Sequence, residues 1–67
     1  MSQAAADSIV EEANALFRAE KFAEAATQFE KAAKVFPPHA LAWKGLGHCL
    51  LCVGKAHEAA HAFDQAI

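Results

Sequence analysis

Two short motifs bring together side chains that can bind metal. Residues 57–61 have the sequence His-Glu-Ala-Ala-His, which puts two imidazoles one helical turn apart with a carboxylate between them. In zinc proteases the two histidines of such a motif hold the metal, and the glutamate activates a water molecule. Cys49 and Cys52 are separated by two residues, a spacing found in metal and redox sites. The four side chains follow the order Cys-x2-Cys-x4-His-x3-His.

Neither motif has the partners that its chemistry requires. The spacer between Cys52 and His57 is too short for a zinc finger, and the chain offers no clear third ligand for a protease site. A redox pair needs a helix N-terminus to lower the pKa of a thiol, whereas these cysteines fall in the C-terminal half of a predicted helix. Glu58 and its two alanines also repeat residues 24–26, which have no flanking histidines. We therefore predict no catalytic residues, no metal site and no cofactor, and we expect Cys49 to be a small buried hydrophobe.

Composition excludes several other classes of function. The net charge is −2, so the chain lacks the basic face that binding to nucleic acid needs. No apolar run approaches 18 residues, and the N-terminus has neither a basic region nor an apolar core. We therefore expect no membrane insertion and no secretory signal. Two cysteines are too few for a disulfide framework, which favours a cytoplasmic protein with reduced thiols.

The spacing of apolar residues predicts four helices and no strands. The predicted helices cover about residues 5–19, 22–35, 39 to 52 or 53, and 56 onward to 67. Pro37 and Pro38 end the second helix because proline lacks an amide hydrogen. Gly54 and Lys55 form the last turn, where glycine is free to adopt a positive φ. Gly47 inside the third helix costs about 1 kcal/mol against alanine, which indicates that another helix approaches closely there.

The chain repeats itself with a period of 34 residues. Sliding residues 6–33 onto 40–67 gives eight identical pairs, four of them alanines. The pairs are Ala6/Ala40, Leu16/Leu50, Lys21/Lys55, Glu24/Glu58, Ala25/Ala59, Ala26/Ala60, Phe29/Phe63 and Ala32/Ala66. A fixed period of this length is typical of stacked helix-turn-helix repeats, which leave grooves for binding.

The second half of the chain resembles the tetratricopeptide repeat. The residues that match the signature of that family are Trp43, Leu46, Gly47, Ala59, Phe63 and Ala66. The first repeat matches mainly in its second helix, since Ile9, Glu12 and Ala13 replace the tryptophan, leucine and glycine of the signature. The resemblance implies a single all-α domain over residues 1–67, built as a right-handed superhelix of antiparallel helix pairs. Repeat one would cover residues 6–39 and repeat two residues 40–67.

The resemblance also implies where a partner would bind. The first helix of each repeat lines the concave face in that family, and a groove of mixed apolar and polar side chains suits a peptide or helix of another protein. We therefore predict a protein-interaction module that acts as a scaffold. Chaperone-like activity is one form of that function. The residues predicted to contact the partner are Val10, Asn14, Phe17, Arg18, Leu41, Lys44, His48 and Leu51.

The end of the chain suggests an alternative function. Repeat arrays usually have three or more units and a terminal cap with a polar outer face, whereas Phe63, Ala66 and Ile67 are apolar. We expect this edge to continue into further repeats of a longer array or to associate with another copy, and a cap supplied by a partner protein is the third alternative. The alternative is therefore a self-assembling structural unit that forms homo-oligomers through its last helix.

Overall fold

Four α-helices make up the part of the chain that the computed structural model describes, residues 3–66. They are α1 (Gln3–Arg18), α2 (Phe22–Val35), α3 (Ala40–Cys52) and α4 (Ala56–Ala66), and residues 3–66 contain no strand. The prediction of an all-α fold with four helices is confirmed. The bounds of α2 are those predicted, and α1 begins two residues earlier than predicted. The predicted end of the last helix at Ile67 lies outside the described residues.

The two turns within the helix pairs have the same hydrogen bonds, 34 residues apart. Lys21 N–H donates to Leu16 C=O and Lys55 N–H to Leu50 C=O, at 2.9 and 2.8 Å. Within these turns, residues 20 and 54 donate to the carbonyls three positions earlier. This is a Schellman motif, which requires a left-handed residue just after the helix. Gly54 meets that requirement with φ +82°, whereas in the first repeat Glu20 adopts φ +62°.

His39 joins the two repeats. Its Nδ1 accepts a hydrogen bond from Ala42 N–H at 3.3 Å and so caps the N-terminus of α3. Because Nδ1 accepts, the ring proton sits on Nε2, which lies 2.5 Å from Asp7 Oδ1 on α1. The side chain of His39 is buried and that of Asp7 is half-exposed. The loop is also fixed by Trp43 Nε1–H, which donates to Pro37 C=O at 2.6 Å.

The order of packing gives the molecule an inner and an outer side. Each helix packs against the next, and α1 also approaches α3. No Cα atom of α2 comes within 8 Å of one in α4, among the residues described for both. The first helices of the two pairs are therefore close together and the second helices are splayed apart. We call the α1–α3 surface the inner face and the α2–α4 surface the outer face.

The core between these helices consists largely of alanine. Fully buried alanines at positions 6, 13, 25, 32 and 42 belong to the same buried cluster as Phe29, and Cys49 is the largest side chain with essentially no exposure. Small side chains of this kind allow helix backbones to approach each other closely. The predicted burial of Cys49 is confirmed.

Phe29 and Phe63, which are one repeat apart, pack against glycines of α3. A Cβ atom added to Gly47 would lie 2.7 Å from Phe63 Cε1 of α4, and one added to Gly45 would lie 2.5 Å from Phe29 Cζ of α2. The predicted close approach at Gly47 is confirmed. The sequence pattern did not single out Gly45, although its contact is the tighter one.

The strained turn in the first repeat predicts a stabilising substitution. A non-glycine residue in the left-handed region costs about 1–2 kcal/mol, so Glu20→Gly should raise the free energy of unfolding by about 1 kcal/mol. Gly54→Ala should lower it by a similar amount. Glu20→Gln, which removes the charge but keeps a side chain, is the matched control and should change little. Urea denaturation monitored by circular dichroism measures all three, and a destabilised Glu20→Gly variant would contradict the assignment.

The two glycines of α3 should respond differently to alanine. Alanine gains about 1 kcal/mol of helix propensity at either site, but overpacking costs about 1–3 kcal/mol. Phe29 is 2% exposed and has no room to shift, whereas Phe63 is half-buried at the edge of the molecule. We expect Gly45→Ala to be destabilising by about 2 kcal/mol and Gly47→Ala by less than about 1 kcal/mol. The same denaturation experiment tests the order, and equal losses would show that the two rings are equally constrained.

Candidate functional site

A row of side chains on the inner face of α3 stands clear of the core. Leu41, Lys44, His48 and Leu51 follow helical spacing and are all exposed; we call this row the ridge. Leu41 is 63% exposed and Leu51 is 50% exposed, so both ends of the ridge offer apolar surface to a ligand. Lys44 forms no ion pair with any residue from 3 to 66. The structure therefore brings together all four site residues that the sequence predicted on α3.

A shallow hollow lies between the ridge and α1. Its volume is about 210 Å³, and its lining is Val10, Asn14, Leu41, Lys44, Gly45 and His48. That volume is several times the roughly 30 Å³ that one water molecule occupies in the liquid, so a side chain of a bound segment has room there. Gly45 lies between the leucine and the histidine of the ridge and contributes backbone to the lining of the hollow. Asn14 and Lys44 supply polar groups at its rim.

The burial of Val10 corrects one expectation. It was expected to give apolar surface to a partner, but α3 covers it and leaves it only 6% exposed. The apolar line of α1 therefore runs through Ala6, Val10 and Ala13, while Ile9 and Leu16 are half-buried. Val10 forms the floor of the hollow and has little area left to bury against a ligand.

The C-terminal end of α1 carries the remaining predicted residues. Phe17 is half-buried, and its ring packs edge-on against that of Phe22, with centroids 5.1 Å apart. Arg18 is exposed and its Nε donates to the carbonyl of Asn14 at 3.4 Å. Neither residue lines the hollow, so Arg18 could contact only a ligand that extends beyond it.

A second recess lies on the opposite side of α3, and the sequence analysis did not predict it. It has a volume of about 530 Å³, and its lining is Glu30 and Lys34 of α2, Trp43, Leu46 and Leu50 of α3, and His57, Glu58, His61 and Ala62 of α4. We call it the outer cleft. Trp43, Leu46 and Leu50 follow helical spacing in the sequence, but that spacing does not show whether other helices cover them. Only the separation of α2 from α4 shows that the row is left partly uncovered.

The candidate metal ligands do not converge. Cys49 is buried in the core and Cys52 is exposed, and both are free thiols. Burial, and secondarily the neighbouring Cys52, raises the pKa of Cys49 to about 11, which disfavours the thiolate that metal binding and redox chemistry need. His57 and His61 line the outer cleft instead. Within residues 3–66, no three histidine, cysteine or acidic side chains are placed to hold one ion.

The predicted oligomer edge is only partly exposed. The ring of Phe63 packs on Gly47 and lies edge-on to His48, with centroids 5.3 Å apart. Ala66 is half-buried, and Ile67 lies outside the described residues. Phe63 therefore supports the ridge through His48, in addition to any contact that it makes with a neighbouring copy or repeat.

None of the helices is built to span a bilayer. The longest, α1, has 16 residues, and no helix within residues 3–66 combines the length and apolarity that crossing a membrane needs.

The comparison with protein families supports an architecture of paired helices. Residues 10–67 match the sequence profile of the tetratricopeptide repeat. No curated protein and no solved structure gives a significant match to the chain. The match covers most of the chain, including the second helix of the first pair and both helices of the second. The chain therefore belongs to the tetratricopeptide repeat family, whose domains generally mediate interactions between proteins.

Proposed function

We propose that the chain binds a segment of a partner protein on its inner face, and acts as a scaffold rather than as an enzyme. One observation carries the proposal. The ridge exposes two leucines with a lysine between them that forms no ion pair within residues 3–66, next to a hollow with room for a side chain. Membership of a family of interaction domains supports the same conclusion.

The chemistry of the ridge defines the kind of segment that fits it. Leu41 and Leu51 are ten residues apart, which is about 15 Å along a helix, so they can contact two apolar side chains of an extended or helical segment. Lys44 lies between them on α3, and Asn14 lines the hollow from α1. Both can donate hydrogen bonds to backbone carbonyls or to a carboxylate. Apolar contacts at both ends would supply most of the affinity, and the polar groups would fix the register.

Removal of both leucines of the ridge should abolish most of this binding. Each Leu→Ala substitution removes about 1 kcal/mol of apolar contact at a half-exposed site, so Leu41→Ala with Leu51→Ala should weaken binding by roughly tenfold to fiftyfold. Both side chains are exposed, so the fold should be retained. The probes are peptides selected by panning a random display library against the wild-type chain, with affinities measured by calorimetry.

Val53→Ala is the matched control for that experiment. Val53 is also an exposed aliphatic residue, 40% accessible, but it lies just beyond α3 on the outer side. Peptides that bind the inner face should bind the Val53→Ala variant with unchanged affinity. If the double leucine variant binds the selected peptides as tightly as the wild type does, the inner face is not the binding site.

A further inference from the structure

The outer cleft has an apolar floor that runs the length of α3. Trp43, Leu46 and Leu50 form the floor of its larger part. A second recess of about 360 Å³ shares Leu46 and Leu50 and continues the floor to Val53. These four side chains follow helical spacing over ten residues, or about 15 Å. The helices α2 and α4 form the two walls.

The walls of the cleft carry carboxylates on both sides. Glu30 of α2 and Glu58 of α4 line both recesses. Glu30 is paired with Lys34 at 3.4 Å on its own helix, although both side chains are largely exposed. Glu58 has no ion-pair partner among residues 3–66. Lys55 lines the second recess but not the larger one. The larger recess therefore offers an apolar floor and the carboxylate of Glu58, beside the imidazoles of His57 and His61.

The ridge on the other side of α3 has the complementary features. It too is about 15 Å long, with Leu41 and Leu51 at its ends and Lys44 between them. The exposed large hydrophobic residues of the described chain are Leu41, Leu51 and Val53. Two of them are therefore on the ridge and the third is in the cleft. An unpaired lysine on one surface matches an unpaired glutamate on the other.

We propose that the outer cleft binds the ridge of a second copy of this chain. The leucines of the ridge lie on the apolar floor, and Lys44 of one copy faces Glu58 of the other. This inference rests on the proposed function in that it uses the inner face as a surface for protein contact. It places self-association on the outer cleft rather than on the terminal edge of α4.

The position of the two surfaces fixes the symmetry of the assembly. The ridge and the cleft floor lie on different faces of the same helix, so each copy has one of each. Such a contact is heterologous, and copies add head to tail instead of closing into a two-fold dimer. A partner segment that occupies the ridge would compete with this assembly, so binding of partner and self-association exclude each other.

Charge reversal tests the contact directly. Glu58→Lys places two lysines opposite each other, and Lys44→Glu places two glutamates opposite each other. Each variant should shift self-association to concentrations at least about tenfold higher than in the wild type. An equimolar mixture of the two variants restores opposite charges at every contact and should associate as the wild type does. Sedimentation velocity from ~10 µM to ~1 mM, in low salt, measures the sizes.

Glu24→Lys is the control that the repeat provides. Glu24 is the equivalent of Glu58 one repeat earlier, and each is in the first turn of its helix. Both substitutions therefore have the same effect on helix electrostatics, but Glu24 does not line the cleft. The Glu24→Lys variant should associate as the wild type does, and circular dichroism should show all three variants folded.

Three outcomes would overturn the inference. They are a wild-type chain that stays monomeric up to ~1 mM, a Glu24→Lys variant that is impaired as much as Glu58→Lys, and a mixture that fails to regain association. The proposed function is tested separately, because Glu58→Lys leaves the ridge unchanged. Peptides selected for the inner face should still bind that variant with wild-type affinity, even if the assembly proposal fails.

Discussion

The packing of two phenylalanines against the glycines of α3 is the constraint on which the rest of the structure depends. Phe29 reaches α3 from α2, and Phe63 reaches it from α4. Gly45 and Gly47 are only two residues apart, so the helix is fixed from both sides over less than one turn. The contacts hold α3 between its neighbours and leave two of its faces uncovered.

Those two faces have different properties because different helices flank them. On the inner side α1 and α3 lie close enough together that Val10 is buried and only a small hollow remains. On the outer side α2 and α4 are splayed, so a larger recess remains above Trp43 and Leu50. One helix of 13 residues therefore presents an apolar and cationic ridge on one side and the floor of a cleft on the other. Both proposed interaction surfaces are therefore built on one central helix.

The 34-residue period predicted much of this architecture, because each helix and turn of the first repeat can be aligned with its equivalent in the second repeat. The bounds of α2 and the positive φ at Gly54 followed from local residues alone. The period also predicts the backbone conformation of the first turn, which the residues of that turn alone do not. Glu20 aligns with Gly54, and this alignment alone indicates a left-handed residue in the first turn. The burial of Val10 was different, since it depends on how closely α1 approaches α3, which no local pattern specifies.

The outer cleft could not be predicted for a similar reason. The sequence shows that Trp43, Leu46 and Leu50 share a face, but it does not show whether α2 and α4 close over them. The spacing of the four candidate metal ligands is visible in the sequence, but their positions in the fold are not. Cys49 is in the core, while the histidines line the outer cleft.

The position of α3 between two aromatic rings is the central claim, and nuclear Overhauser effects measure it most directly. In a labelled sample, ring protons of Phe29 should show strong effects to the α protons of Gly45, and those of Phe63 to the α protons of Gly47. The Phe29–Gly45 and the Phe63–Gly47 effects should both be present in the same monomeric sample. Absence of the Phe29 to Gly45 effects in a folded chain would contradict the account, because α3 would then not be held in the position from which both surfaces follow.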